Sequence, residues 1–435
     1  MSIRMLLVSC ALAVGAPASS AQSGPAPAPP RPAGTAPAAP ATSPAGTPPQ
    51  SAPAPVAPAP AAPAVPAVPA VPAAPAVPAA PAAPAVPAVP AVPAVPAAGP
   101  ERPATPAAVL AQLRAEADAV RPLVASDIAR AFLAAVAALP APEERVLWRS
   151  DATGRFLPDR AMAALAEASR AGWTRRELDA ESYYFTRYGS PLAYARALDV
   201  LAAQGGLHAL AGARFLDYGY GTVGPPRLLA LCGADAHGVD VDSYLTALYA
   251  EPGDQGDVHA TAAAPDAAAQ AARSAAGVTD RVTGRVTLHD GRWPADDAVR
   301  TAIGEGYDVF LSKNTLKRGY VHPSRKADPR HLIDLGVDDA TFLARLHALL
   351  APGGLALLYN ICPPEAGPDE PWLPWSDGRS PFTREQWEAA GFELLALDTV
   401  DHAAARAQGV ALGWGSADEM EHGIFAWYTL ARRRP

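Results

Sequence analysis

The stretch RFLDYGYGTVGPPRLLALCGADAHGVDVD, residues 214–242, reads as strand, turn, helix and strand in close succession. An apolar run from Arg214 to Tyr218 carries one acid, Asp217, and leads into three spaced glycines, Gly219, Gly221 and Gly224. Glycines strip side chains from a turn, so its backbone can come close to a ligand. Pro225 and Pro226 suit the first turn of a helix, where N–H groups lack partners anyway. The next apolar run ends on Asp240, 19 residues after Gly221. A carboxylate at that place accepts both hydroxyls of a ribose. The glycines alone are also compatible with an ordinary tight strand-to-helix turn.

Downstream, short apolar runs alternate with helical ones: SYLTALYAE, RVTLHDG, AVRTAIGEG, YDVFLSKN, DATFLARLHALLAPGG, LALLYNIC and TREQWEAAG. That order requires crossover connections. It predicts an α/β fold, a doubly wound, mostly parallel sheet of Rossmann-like kind, covered on both faces. The turn after the first strand of such a sheet lies at the carboxyl edge, where ligands bind. FELLALDTV and GIFAWYTLARRR have no convincing helix between them and are expected to pair antiparallel at one edge. Ahead of the sheet, residues 106–204 place alanine and leucine at helical spacing and are expected to form a helical region, with Thr174 and Glu177 spaced as a capping box.

Two more features sharpen the reading: Asp217 stands two residues before the first glycine, and a Pro-Gly-Gly turn precedes the fifth strand. Here the chain resembles the class I S-adenosylmethionine-dependent methyltransferases over residues 183–435. The motifs are FLDYGYGTVG, GVDVD, LHDGRW, YDVFLSKN and LLAPGGLALLYN. The resemblance implies S-adenosylmethionine as cofactor and a methyltransferase fold over residues 205–435. It places the glycine turn along the methionine portion, Asp217 near the cofactor's amino group, Asp240 on the ribose and Asp290 near the adenine. Gly224 stands one residue later than in many members. Its spacing fits the dinucleotide pattern G-x-G-x-x-G, which keeps an NAD(P)-dependent oxidoreductase open. Two features oppose that alternative: Tyr320 is followed four residues later by Ser324 rather than by a lysine, and Asp217 would sit unfavourably close to a pyrophosphate. A positively charged sulfonium is helped by nearby carboxylates.

On the acceptor side, the loop after the fourth strand offers Lys313, Asn314, Tyr320 and His322. Asn314 is expected to face the cleft from the strand end. His322 is a candidate base, with a solvated loop histidine as the plain alternative. Tyr183, Tyr184, Arg187 and Tyr188 precede the first strand; related methyltransferases often close a helix over the cofactor there, and Arg187 would pair with its carboxylate. Packing of those aromatics on the core is the competing reading. The aromatic, proline-rich EPWLPWSDGRSPF would cap the substrate pocket or serve as a long connection.

Further out, most of the 50 prolines of the 435-residue chain fall in the first quarter. Residues 1–21 combine Arg4, a short apolar run and small residues before a cut site, the pattern of an export signal. A weak membrane anchor, a lipidated Cys10 or a start codon placed too early are the alternatives, the last leaving the protein in the cytoplasm. Residues 22–105, rich in Pro, Ala and Val, cannot build a packed core and read as a disordered, semi-rigid spacer. The net charge of −8 argues against a protein that holds nucleic acid by its phosphates. The spacing of Cys10, Cys232 and Cys362 fits no metal site. The expected activity is methyl transfer to a small molecule or a protein side chain. The alternative from another class is a catalytically retired methyltransferase fold exported as a binding module.

Overall fold

The structure, a computed structural model, describes residues 105–186, 189–261, 281–367 and 372–434, the side chains at 261 and 281 excepted. The proposed export signal, nearly all of the spacer, and Arg187 with Tyr188 lie outside the described residues.

Helix α1 (Pro106–Val120) starts on Thr105, whose side chain accepts the Ala108 N–H. Helix α2 (Asp127–Ala134) starts on Ser126. The expected run of helices then breaks. Strands β1 (Arg145–Ser150) and β2 (Phe156–Pro158), helix α3 (Asp159–Ala164) and strand β3 (Trp173–Leu178) follow, and the strands pair antiparallel in the order β2-β1-β3. Thr174 and Glu177 cap no helix: they sit in β3 opposite Arg149 and Val146. Polar-x-x-acid spacing is shared by a helix start and a half-exposed strand, and pairing with β1 decides between them. Helix α4 (Glu181–Tyr184) is a single turn, and α5 (Ala195–Ala203) leads to the sheet. Buried Asp199 on α5 accepts the N–H groups of Ala125 and Ser126 at 2.9 and 2.8 Å, which ties α5 to the start of α2.

The main sheet begins with β4 (Arg214–Tyr218), followed by α6 (Gly224–Leu231), β5 (Asp235–Asp240), α7 (Ser243–Leu248), β6 (Gly256–Thr261), β7 (Arg281–Asp290), α8 (Asp297–Ile303) and β8 (Tyr307–Lys313). The chain continues through α9 (Arg318–Val321), α10 (Asp339–Leu349), β9 (Leu350–Cys362), α11 (Arg384–Ala389), β10 (Phe392–Val400), α12 (His402–Ala411), α13 (Ala417–Gly423) and β11 (Phe425–Arg433). The eight strands lie in the order β10-β11-β9-β8-β4-β5-β7-β6. Strands β9, β8, β4, β5 and β7 are mutually parallel, and β11 and β6 run antiparallel to their neighbours β9 and β7.

The sheet order bears out the expected doubly wound fold. From β4 the chain winds one way to β5 and β7, then returns to β8 and winds the other way to β9, so the switch point lies between β4 and β8. Ligands of such sheets bind outside the carboxyl ends of the strands at that point. The terminal strands β10 and β11 pair antiparallel at the edge, as expected, although α12 and α13 intervene. Strand β6, unforeseen in the sequence, adds an antiparallel edge beyond β7.

Side chains on the two faces of the sheet form separate cores. One face packs on the helical region through residues such as Phe132, Leu198 and Leu228. The other packs on α10 and α11 through Phe342, Leu346 and Trp387, with Trp293 and Phe310. Strand β4 is buried at four consecutive positions from Phe215, as a central parallel strand must be when both faces are covered. The helical region and the main sheet fall in one compact unit.

Candidate functional site

The glycine turn follows directly from β4. Gly219 and Gly221 have φ of 74° and 59°, in the left-handed region that side chains with a Cβ disfavour. A Cβ on Gly219 would run into the side chain of Thr315. Gly224 serves packing instead, because a Cβ there would come within 2.7 Å of Pro191 Cβ and 3.0 Å of the Tyr184 carbonyl oxygen. Its bare backbone lets α6 lie against the segment before α5. The Thr222 hydroxyl donates to that same Tyr184 carbonyl at 3.0 Å. Thus the turn is fastened to the helical region as well as to the sheet.

Three carboxylates nominated from the sequence stand on neighbouring strands at the carboxyl edge. Asp217 belongs to β4, Asp240 ends β5, and Asp290 ends β7 directly opposite Asp240 in the parallel register. Asp217 is 1 % exposed. Its Oδ1 accepts the Tyr194 hydroxyl at 3.2 Å, while its buried Oδ2 has no hydrogen-bond partner. Burial pushes this carboxyl up to about 7, against the pull of the Tyr194 bond and the nearby Lys313 ammonium. Asp240 Oδ1 accepts the N–H groups of Val241 and Asp242 at 2.7 and 3.0 Å, and the carboxylate also takes the Gly221 N–H. Burial still raises it to about 6. Asp290 is exposed.

Of two further participants, Tyr194 was not singled out in the sequence, and Lys313 was offered there only on the acceptor side. Tyr194, at the start of α5, reaches Asp217 from an element that sequence spacing cannot place against β4. Lys313, the last residue of β8, sets its Nζ 5.5 Å from the centre of the Tyr194 ring. Burial, and the like charge of Lys317, pull the Lys313 ammonium down to about 8, with Asp217 acting in the opposite sense. The burial and charge signal at Lys313 emerges only once β8 lies beside β4.

The two nominated catalytic residues each make a hydrogen bond within the fold. Asn314 adopts φ of 65°, and its carboxamide oxygen accepts the Ile361 N–H at 2.7 Å, joining the end of β8 to β9. His322 Nε2 lies 2.9 Å from both oxygens of Asp339, and Asp339 also accepts from Gln386. Tyr183 and Tyr184 take the packing role: their hydroxyls donate to Asp254 at 2.7 Å and to the Pro140 carbonyl at 2.9 Å. In EPWLPWSDGRSPF, the described part includes buried Trp375, and the Pro374 carbonyl lies against Gly319 of α9. Two clefts of about 310 and 350 Å³ lie elsewhere, one beside Arg300 and Arg345 and one beside Arg145 and Glu251; neither is lined by a residue of the carboxylate cluster. Among the described residues no group of three or more His, Cys, Asp or Glu is placed to hold a metal ion.

No family model matches the chain, and no curated protein matches it. Solved structures do. The cyclase SpnF is 19 % identical, with 55 % of this chain and 80 % of that chain covered at a TM-score of 0.29. An S-adenosylmethionine-dependent methyltransferase from Mesorhizobium loti is 17 % identical over 55 % of this chain and 98 % of its own, with a TM-score of 0.30. The magnesium protoporphyrin IX methyltransferase ChlM from Synechocystis PCC 6803, solved with bound S-adenosylhomocysteine, is 15 % identical over 57 % and 84 % of the two chains, with a TM-score of 0.28.

Proposed function

We propose that this protein is an S-adenosylmethionine-dependent methyltransferase whose cofactor lies across the carboxyl ends of β4, β5 and β7. The observation that carries the reading is Asp217 Oδ2, a buried carboxylate oxygen without a donor beside a glycine turn. A buried acceptor of that kind is costly unless a ligand supplies the missing donor. A cationic ligand with an amino group does so, and a negatively charged pyrophosphate would be repelled from the same place. Asp240, one strand over, would take the ribose hydroxyls, with Asp290 beside it near the adenine.

When bound, S-adenosylmethionine supplies an electrophilic methyl group on a sulfonium. The chain's own contribution is placement: Gly219 and Gly221 let the backbone approach, Asp217 and Asp240 orient two ends of the ligand, and Thr315 stands over the turn. Positioning alone carries much of the catalysis of a group transfer. Calorimetric titration of the full chain with S-adenosylhomocysteine tests the reading; saturable one-to-one binding supports it, and no heat with folded protein refutes it.

A second reading, a retired methyltransferase fold acting as an exported binding module, is favoured by one observation. Both residues nominated for catalysis, Asn314 and His322, are committed to Ile361 and Asp339. Cofactor binding without methyl transfer to any acceptor in a cell extract supplied with labelled cofactor would favour it. Export itself is tested by fractionating cells and sequencing the mature amino terminus.

A further inference from the structure

His237 of β5 and His289 of β7 meet on one face of the sheet, because Val239, two residues beyond His237, is the register partner of His289. Nδ1 of His237 lies 3.0 Å from Nε2 of His289, the ring centres are 5.3 Å apart, and the ring planes differ by 12°. Rings stacked face to face cannot combine those three values. The imidazoles therefore lie edge to edge in nearly one plane, each aiming a nitrogen along the line to the other. On the far side of the first ring, Nε2 of His237 is 3.2 Å from Oδ1 of Asp235, an oxygen with no other donor among the described residues. That neighbour assigns the hydrogen of His237 to Nε2 and leaves a lone pair on Nδ1, facing His289. His289 fills the gap with its own Nε2 hydrogen. With that hydrogen moved to Nδ1, two lone pairs face each other on one line.

Two collinear nitrogen donors are the ligand set of a two-coordinate, closed-shell cation. We propose that His237 Nδ1 and His289 Nε2 bind one Cu(I) ion between them, a site independent of the methyltransferase reading. Imidazole suits copper. Zn(II) takes four ligands at tetrahedral angles, and among the described residues no group of three or more His, Cys, Asp or Glu can supply them. Asp235 completes the arrangement from behind: a ligating histidine commonly donates its other N–H to a carboxylate, which fixes the tautomer and raises the basicity of the metal-binding nitrogen. Arg214 Nε in turn holds Asp235 Oδ2 at 3.1 Å. Arg285 stands opposite Asp235 in the register, so two guanidinium groups border the pair, and a monovalent ion is repelled less than a divalent one. Binding needs no oxidant or reductant: both imidazoles are neutral before and after, the His289 hydrogen passes from Nε2 to Nδ1, two N–Cu bonds form, and the site gains one positive charge. A metal–imidazole bond is about 2 Å long, so the two nitrogens move from 3.0 Å to about 4 Å apart. His237 is buried with its ring against that of Tyr307, and the part-exposed His289 makes the move.

The test is anaerobic titration of the full chain with Cu(I), with bathocuproine disulfonate as competitor, followed by X-ray absorption at the copper edge. The proteins are wild type, His237→Gln, His289→Gln and Asp235→Asn, each checked for an unchanged melting transition without metal; if His237→Gln does not fold, His289→Gln and His289→Asn carry the comparison, since that side chain is part-exposed. All keep the same three cysteines, so thiol binding is common to every protein and cancels between them. The expected result is that each histidine variant takes up one Cu(I) fewer than wild type, that Asp235→Asn keeps the ion but holds it about tenfold or more weakly, and that the additional ion in wild type is two-coordinate with nitrogen ligands. Zn(II) at the same concentration should not displace it. Equal Cu(I) uptake by wild type and the histidine variants overturns the site, as does sulfur coordination of the additional ion. Displacement by Zn(II), or coordination by three or four ligands, overturns the two-coordinate assignment and the choice of Cu(I) with it.

Discussion

Tyr194 donates its hydroxyl to one oxygen of Asp217 at 3.2 Å and leaves the other buried and unpartnered. The carboxyl group at the heart of the candidate site thus hangs on one protein hydrogen bond. Tyr194→Phe removes it. The expected cost is about 1–3 kcal/mol of stability at pH 8, where Asp217 is ionised, and less at pH 5, where it is protonated. Denaturant unfolding at the two pH values measures the difference, and an equal cost at both would show that the hydroxyl does not act through the carboxylate.

The raised proton affinity of Asp217 has a definite sign in stability. Its folded value of about 7 lies above the ordinary value of 3.8, so the protonated form is favoured by folding. The stability it contributes is fully present below about pH 4 and is lost as pH rises through about 7. At 1.36 kcal/mol per unit the loss is on the order of 4 kcal/mol. Asp217→Asn should flatten this part of the stability–pH curve and raise stability above pH 7, while weakening cofactor binding. Parallel curves for the two proteins between pH 4 and 8 would contradict the assignment.

Asp240→Ala should weaken S-adenosylhomocysteine binding by about 1.5–3 kcal/mol, the range for hydrogen bonds to a charged acceptor. The same carboxylate receives the Val241 and Asp242 N–H groups, so the melting temperature should fall as well. Affinity is therefore compared at a temperature where circular dichroism shows both proteins folded. Unchanged affinity there removes Asp240 from the site.

Gly219→Ala combines a left-handed backbone, φ of 74°, with a collision against Thr315. The backbone term is worth about 1–2 kcal/mol and the overpacking about 1–3 kcal/mol. Only the second is relieved by removing the Thr315 side chain. A double-mutant cycle with Thr315→Gly should therefore give a coupling of at least about 1 kcal/mol. Simple additivity would mean that the two residues do not touch.

Both described cysteines are free, and Cys362 is 1 % exposed. Burial pushes the Cys232 thiol up to about 12 and raises Cys362 as well, so neither forms much thiolate at pH 8. Iodoacetamide should leave both unmodified in native protein and label both in denaturant. A peptide linking Cys232 to Cys362 would contradict their placement, one at the end of α6 and the other at the end of β9.

Strand β4, its glycine turn and the acid ending β5 were legible in the sequence because each depends on neighbours within a few residues. Asp217, Asp240 and Asp290 fall at one edge for the same reason: each closes, or nearly closes, an apolar run whose direction the crossovers fix. Tyr194 and Lys313 were not legible as partners. Their roles arise from α5 and β8 meeting β4, contacts between residues far apart in the chain. The small sheet of β1, β2 and β3 escaped because its strands are short and its outer residues polar, so local spacing resembles helix and turn until the register with β1 is formed. Asn314 reads as a cleft-facing amide from its place at a strand end; the bond from the Ile361 N–H to its oxygen depends on β9 lying beside β8 and is not legible locally.

Thr222 fastens the glycine turn to the backbone of α4, Tyr184 of α4 fastens to Pro140, and Asp199 of α5 fastens to the start of α2. Through these bonds a ligand at the turn extends its hold to helices it never touches. Amide hydrogens deep in α2 that exchange only when the whole unit opens will exchange more slowly with ligand present, by the factor 1 + [ligand]/Kd. Deuterium uptake in a segment remote from the carboxyl edge thereby becomes a gauge of occupancy for any nucleoside tried.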